Sequence, residues 1–224
     1  PLLASPPVLL LCAAGVSGRC PAPRPVSPCH WRPQGRRAEL DGVGGWRARA
    51  FVDGPFWRWL CRPGKFQVRR RRGMAAQLRH LALPGRVDHI PGAGAALWSP
   101  PGQWRLGPWR QLRFLPDFAA ITGLARLPGR LAGIQHIQQL HPKRPHWYLQ
   151  VLGVAPDQQG RGHARRLLAP VLSLCDRDGH GAFLETCEPD NLPLYRRFGF
   201  EVIREDRVAA DGPPIWLMWR PPPL

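Results

Sequence analysis

The sequence predicts a single mixed α/β domain, on three observations. The first is an apolar run at 147–154, Trp-Tyr-Leu-Gln-Val-Leu-Gly-Val, which reads as a buried strand. The second is the segment 165–175, where Leu167, Leu168, Val171, Leu172 and Cys175 fall at the spacing of one helix face. The third is the glycine-bearing turn that joins them, Gln159-Gly160-Arg161-Gly162-His163-Ala164, with a further short strand, Phe183-Leu184-Glu185-Thr186, beyond the helix. At 224 residues the chain is long enough to bury a sound core as one domain.

Taken in chain order, residues 1–35 carry eight prolines and no apolar period, and read as a poorly ordered extension, separate from a folded domain at 36–224. The stretch 38–51 is expected to be a first helix, although Gly42, Gly44 and Gly45 each disfavour it by ~1 kcal/mol. Residues 55–61 and 65–83 read as helical. Residues 86–90 and 95–98 read as two strands across a glycine-rich turn. From 109 to 140 apolar residues recur at helical intervals, giving two or three helices interrupted at Pro116 and Pro128 and lying over the acceptor side of the sheet.

A formal charge of +17 suggests a polyanion partner, but all except two of the 32 basic residues are arginine, and Pro and Gly are also abundant. All three residues have G- and C-rich codons, so genomic base composition accounts for much of the excess. The run Arg69-Arg70-Arg71-Arg72 is expected to be a solvated helix face, and no nucleic-acid partner is expected. The six cysteines form no Cys-x-x-Cys and no His-x-x-x-His accompanies them, which argues against a zinc site. Cys61, Cys175 and Cys187 read as reduced, half-buried thiols of a cytoplasmic protein. No apolar run approaches the ~18 residues of a membrane span. Residues 8–16 imitate a signal-peptide core without the preceding positive charge, so no leader is expected.

The turn at 159–164 has a physical use. The first N–H groups of a helix lack internal partners and carry partial positive charge, and glycines let that backbone approach a phosphate. The spacing Gln-x-x-Gly-x-Ala is neither a Walker loop nor a dinucleotide fingerprint. The same turn serves equally as a plain connection between strand and helix.

The residues after 183 weigh toward the first use. Gln159-x-x-Gly162-x-Ala164 behind a strand, then Asn191-x-x-x-Tyr195-x-x-x-Gly199-Phe200, resembles the acetyl-CoA-binding core of the GNAT superfamily of N-acetyltransferases. Trp147-Tyr148-Leu149, Gly153-Val154 with Pro156-Asp157, Phe183-Leu184-Glu185-Thr186 and Trp216-Leu217-Met218 are similar to the puromycin N-acetyltransferase-like branch. The resemblance is dense from Pro145 to Arg220 and thinner before it. Two positions depart from the usual pattern: Ala164 replaces the commoner glycine, and His163 stands where an apolar residue is usual.

The resemblance implies a GNAT fold, a mostly antiparallel sheet with two splayed parallel strands, and acetyl-CoA as co-substrate without a metal. It assigns Leu152, Gly153 and Val154 to the splayed strand facing the pantetheine and thioester, with Gly153 suited to a bulge. It assigns Gln159, Gly160, Arg161, Gly162, His163 and Ala164 to the pyrophosphate turn, and Asn191 to the pantetheine arm. Asn191 reads equally as a helix N-cap. Tyr195 is the candidate acid beside the CoA sulfur, although a buried tyrosine is also ordinary core. Glu185 is the candidate base, since a carboxylate on a core strand is costly unless it has a purpose or a partner, and an arginine pair is the other reading. Strand alternation puts it on the face of Phe183. Glu188 and Asp190 read as loop and cap residues, and Trp147 and Tyr148 as acceptor-side or core aromatics. The implied activity is acetyl transfer to a primary amine of a small molecule, directly in a ternary complex, by a monomer or homodimer. The alternative is a catalytically idle CoA-binding or regulatory module on the same fold.

Overall fold

A computed structural model describes residues 54–81, 85–105 and 107–223. The expected helix at 38–51, the extension at 1–35 and Cys12, Cys20 and Cys29 lie outside the described residues. Helix α1 spans Pro55–Leu60 and α2 Phe66–Leu81. Strands β1 (Arg86–Ile90) and β2 (Gly94–Ser99) follow as an antiparallel hairpin. Helices α3 (Pro108–Thr122) and α4 (Leu127–Gln139) lead to β3 (His146–Val154). Then come α5 (His163–Asp178), β4 (Gly181–Thr186), the short α6 (Leu192–Arg196), β5 (Glu201–Arg207) and β6 (Pro214–Arg220).

The six strands form one sheet in the order β1-β2-β3-β4-β6-β5. Every pair is antiparallel except β3 with β4, which run parallel because α5 crosses between them. That parallel pairing covers only His146 with Gly181, Trp147 with Ala182 and Tyr148 with Phe183. Beyond Tyr148 the two strands part. Helix α5 packs across β1 to β4 with the predicted stripe inward: Leu167, Leu168, Val171, Leu172 and Cys175 are all buried. Each such leucine contributes roughly 1.5–3 kcal/mol on leaving water.

Five expectations need correction. The β3 irregularity falls at Gln150, since Leu97 pairs with Val151 and Trp98 with Leu149, while Gly153 pairs regularly with Ala95. Gln150 is steadied there by donating from Nε2 to the Ser99 hydroxyl. Pro116 does not interrupt α3 but lies within it on an exposed turn, where the carbonyl that loses its partner is on the solvent side. Pro128 opens α4 rather than breaking a helix, a position where its missing N–H is not needed. The arginine run is not one solvated face: Arg70 is buried and bonds Gln67, Arg69 bonds the Pro63 carbonyl, and Arg72 pairs with Asp117. Four consecutive helical residues must spread around the axis. Cys61, Cys175 and Cys187 are buried free thiols rather than half-buried ones, and burial raises the first two to about 11 and about 12.

Candidate active site

The turn after β3 ends in α5 by way of two left-handed glycines. Gly160 has φ 75° and Gly162, the N-cap of α5, has φ 76°. Only glycine adopts that backbone without strain, and a Cβ at either position would meet open space. The space is a cavity of about 590 Å³. Val154, Gln159, Gly160, Gly162, His163 and Ala164 line it, as do Gln158 and Arg165. The facing wall is Asp190, Pro193, Leu194, Arg197 and Phe198, from α6 and its flanks. Gln159 fixes the turn by donating from Nε2 to the Val154 carbonyl at 3.3 Å.

That facing wall is anchored from behind. Arg220 on β6 donates to the Phe198 carbonyl at 3.0 Å and pairs with Asp176 of α5 at 2.6 Å. One guanidinium thereby links both sides of the cavity to the sheet. His163 opens α5 half-buried, and burial, reinforced by Arg166 and Arg161, lowers its pKa. A neutral imidazole therefore stands at the mouth of the turn beside an exposed Arg161.

Of the other assigned residues, Leu152 and Gly153 are buried on β3 above the parting of the strands and are not in the cavity wall. Asn191 occupies the N-cap position of α6 without making a side-chain cap bond, while Asp190 lies one residue before it and faces the cavity. Asn191 and Tyr195, four residues apart, share the buried face of α6. Tyr195 is completely enclosed and meets Phe200 edge-on at 6.1 Å.

Glu185 is likewise fully enclosed, on the Phe183 face of β4. Burial lifts its carboxyl well above the ordinary carboxylate range, against a hydrogen bond donated by Tyr148 that lowers it. Among the described residues no arginine pairs with it. Its neighbour is His141, whose Nε2 lies 3.6 Å from Oε1. Burial first, then His146 and Arg105, pushes His141 down to about 2, so acid and imidazole face each other as neutral groups. Sequence reading missed His141; the available signal was a histidine just ahead of a strand that opens on a second histidine. It also missed Arg165 and Arg197, each close to an assigned motif.

Comparison with known proteins gives the family. The profile of the acetyltransferase (GNAT) family matches residues 87–200. A relative from Schizosaccharomyces pombe, described as an uncharacterized N-acetyltransferase, is 30% identical over 197 residues, covering 77% of this chain and 76% of its own length. The chain belongs to the GNAT acetyltransferase family. A solved Corynebacterium glutamicum structure, described as histone acetyltransferase HPA2 and related acetyltransferase, is 25% identical with a TM-score of 0.62, over 84% of this chain and 93% of that one. A mosquito structure described as arylalkylamine N-acetyltransferase like 5b shares the fold at 15% identity, TM-score 0.54, over 83% and 96% of the two chains. The GNAT match begins in β1 and ends at Phe200, so it contains every residue lining the cavity. Among the described residues no cluster of three or more His, Cys, Asp or Glu could hold a metal ion, and no helix is long and apolar enough to cross a membrane.

Proposed function

We propose that this GNAT protein moves an acetyl group from acetyl-CoA to a primary amine of a small molecule, directly, in a ternary complex. The carrying observation is the cavity at the N-terminus of α5, floored by two left-handed glycines and adjoining strands that part after Tyr148. The unpaired N–H groups of that helix end suit the pyrophosphate, with Arg165, Arg197 and Arg161 adding charge. The freed edge of β3 through Leu152, Gly153 and Val154 suits the pantetheine amides, and Asn191 the same arm. When bound, acetyl-CoA supplies an activated acyl group on a thioester. Glu185 then takes the proton of the acceptor ammonium, and Tyr195 hydrogen-bonds the departing sulfur. The candidate base is 0% exposed, which favours a slender amine over a bulky protein surface as acceptor.

Acetyl-CoA at a hundredfold excess over its Kd should stabilise the protein by ~2.7 kcal/mol in a thermal-shift measurement. Gly162→Asp should erase the stabilisation, because it adds a negative charge in the cavity and forces a left-handed φ on a residue with a Cβ. Unchanged CoA affinity in a folded Gly162→Asp protein would contradict the donor site. Stabilisation by CoA without transfer to any amine of a broad panel would favour an idle CoA-binding module instead.

A further inference from the structure

His141 and Glu185 form a pair that the cavity does not explain. His141 lies between α4 and β3 with its side chain 2% exposed. Trp104 stands 3.9 Å from its ring centre, Tyr148 meets it edge-on at 4.5 Å, and Phe183 lies at 4.6 Å. Among the described residues neither ring nitrogen has a hydrogen-bond partner. A polar ring held this deep without one is costly. The acidic group that its Nε2 faces is the Glu185 carboxyl at 3.6 Å.

Ionising Glu185 alone would leave a bare charge in a dry compartment. Moving its proton to His141 leaves a carboxylate beside an imidazolium, with no net charge created. Two groups this close titrate as a pair. Other titratable groups at the compartment are Tyr148 and His146 on β3, Cys187 and Glu188 after β4, Arg105 ahead of α3, and Arg144, which carries the carbonyl bonded by His146.

We propose that His141 is a positioning residue that takes the resident proton of Glu185 and so frees the carboxylate to accept a proton from the acceptor amine. The proposal rests on the reading of this chain as an amine N-acetyltransferase. In the step, the O–H bond of the Glu185 acid breaks and an Nε2–H bond of His141 forms. The carboxylate keeps the hydrogen bond from Tyr148. The acceptor ammonium then gives one proton to the carboxylate and retains its lone pair for attack. The pair goes from one proton to two, and the second returns to solvent after product leaves.

The test is an infrared titration of the protonated-carboxyl band, assigned by its loss in Glu185→Gln, in wild type and in His141→Gln. In wild type the imidazole shares the pair's one proton and so holds it to higher pH, and the midpoint should fall without it, by about 0.3 pH unit where the two one-proton forms are equally populated. A midpoint that stays or rises overturns the proposal. In wild type, a nitrogen-15 histidine spectrum should show His141 shifting at the same midpoint as the band. A His141 signal that ignores that transition also overturns it, whether or not the variant folds. With an acetylated amine, His141→Gln should move the acid limb of kcat/KM upward, since the carboxylate is then free only above the acid's own titration, a loss of about tenfold near neutrality that closes at higher pH. A merely structural role would lower the whole profile without moving its limb. Failure to acetylate any amine would remove the enzymatic reading, yet both titrations would still decide the pairing.

Discussion

Tyr195 and Glu185 serve opposite ends of the proposed transfer, so their removal should leave different pH signatures. Tyr195→Phe keeps a ring that is fully enclosed against Phe200 and deletes only the hydroxyl. It should lower kcat by ~10²-fold or more with CoA affinity nearly intact, and the defect should persist while the wild-type phenol is protonated. Glu185→Gln should behave otherwise. A base is needed only while the amine is an ammonium, so its defect should shrink as pH rises toward the amine pKa. Profiles of kcat/KM against pH for both variants provide the check. A Glu185→Gln defect that stays flat across that range would make Glu185 a structural residue. At this scale the sequence was informative where chemistry follows a motif, as at Gly162 and Tyr195. It was silent on His141, because the contact with Glu185 joins a loop to a strand that is distant in the chain.

At the scale of elements, one cluster fastens the helical side to the far end of the sheet. Arg130 of α4, 4% exposed, pairs with Asp211 in the β5–β6 connection at 2.8 Å and lies 4.3 Å over the Trp59 ring of α1. Trp59 Nε1 donates to the same carboxylate at 2.9 Å. Asp211→Ala strands both donors, which should destabilise the protein by ~1–3 kcal/mol. At ~2–4 °C per kcal/mol for a domain of this size, the melting temperature should drop by several degrees. CoA-induced stabilisation should remain, because the cavity is lined by other elements. An unchanged melting temperature would show that solvent replaces the carboxylate without penalty. Elements with a clean apolar period, β3, β4 and α5, were legible in the sequence to within a few residues. Strand β5 was not: Glu201 to Arg207 is polar on both faces, with Ile203 53% exposed, because it is an edge strand with little to bury. The parting of β3 from β4 is likewise set by tertiary packing, and only the family resemblance anticipated it.

At the scale of the molecule, groups hidden in the fold should shape its stability against pH. His141 titrates near 6.5 when unfolded, but burial pushes it to about 2 in the fold, and burial moves His146 in the same direction. Between those values the unfolded chain binds protons that the fold refuses. Acid therefore lowers stability, by up to ~1.4 kcal/mol per pH unit for each refused proton. Glu185 acts in the opposite sense. Its folded carboxyl keeps its proton well above 4.5, so its contribution is complete below 4.5 and is lost as pH rises through the folded value. Glu188 is raised too and adds to that decline. Below 4.5 the histidines act alone, and above 4.5 the carboxyl slope opposes theirs until the folded carboxyls have titrated. The cluster thus contributes an acid limb from the histidines and an alkaline decline from the carboxyls. Glu185→Gln should flatten most of the alkaline limb and leave the acid one, whereas His141→Gln should shallow the acid limb, with His146 supplying the remainder. Melting temperatures of the two variants relative to wild type, taken across pH, isolate these limbs from the rest of the molecule. An alkaline decline as steep in Glu185→Gln as in wild type would mean that the Glu185 carboxyl is not held protonated by the fold.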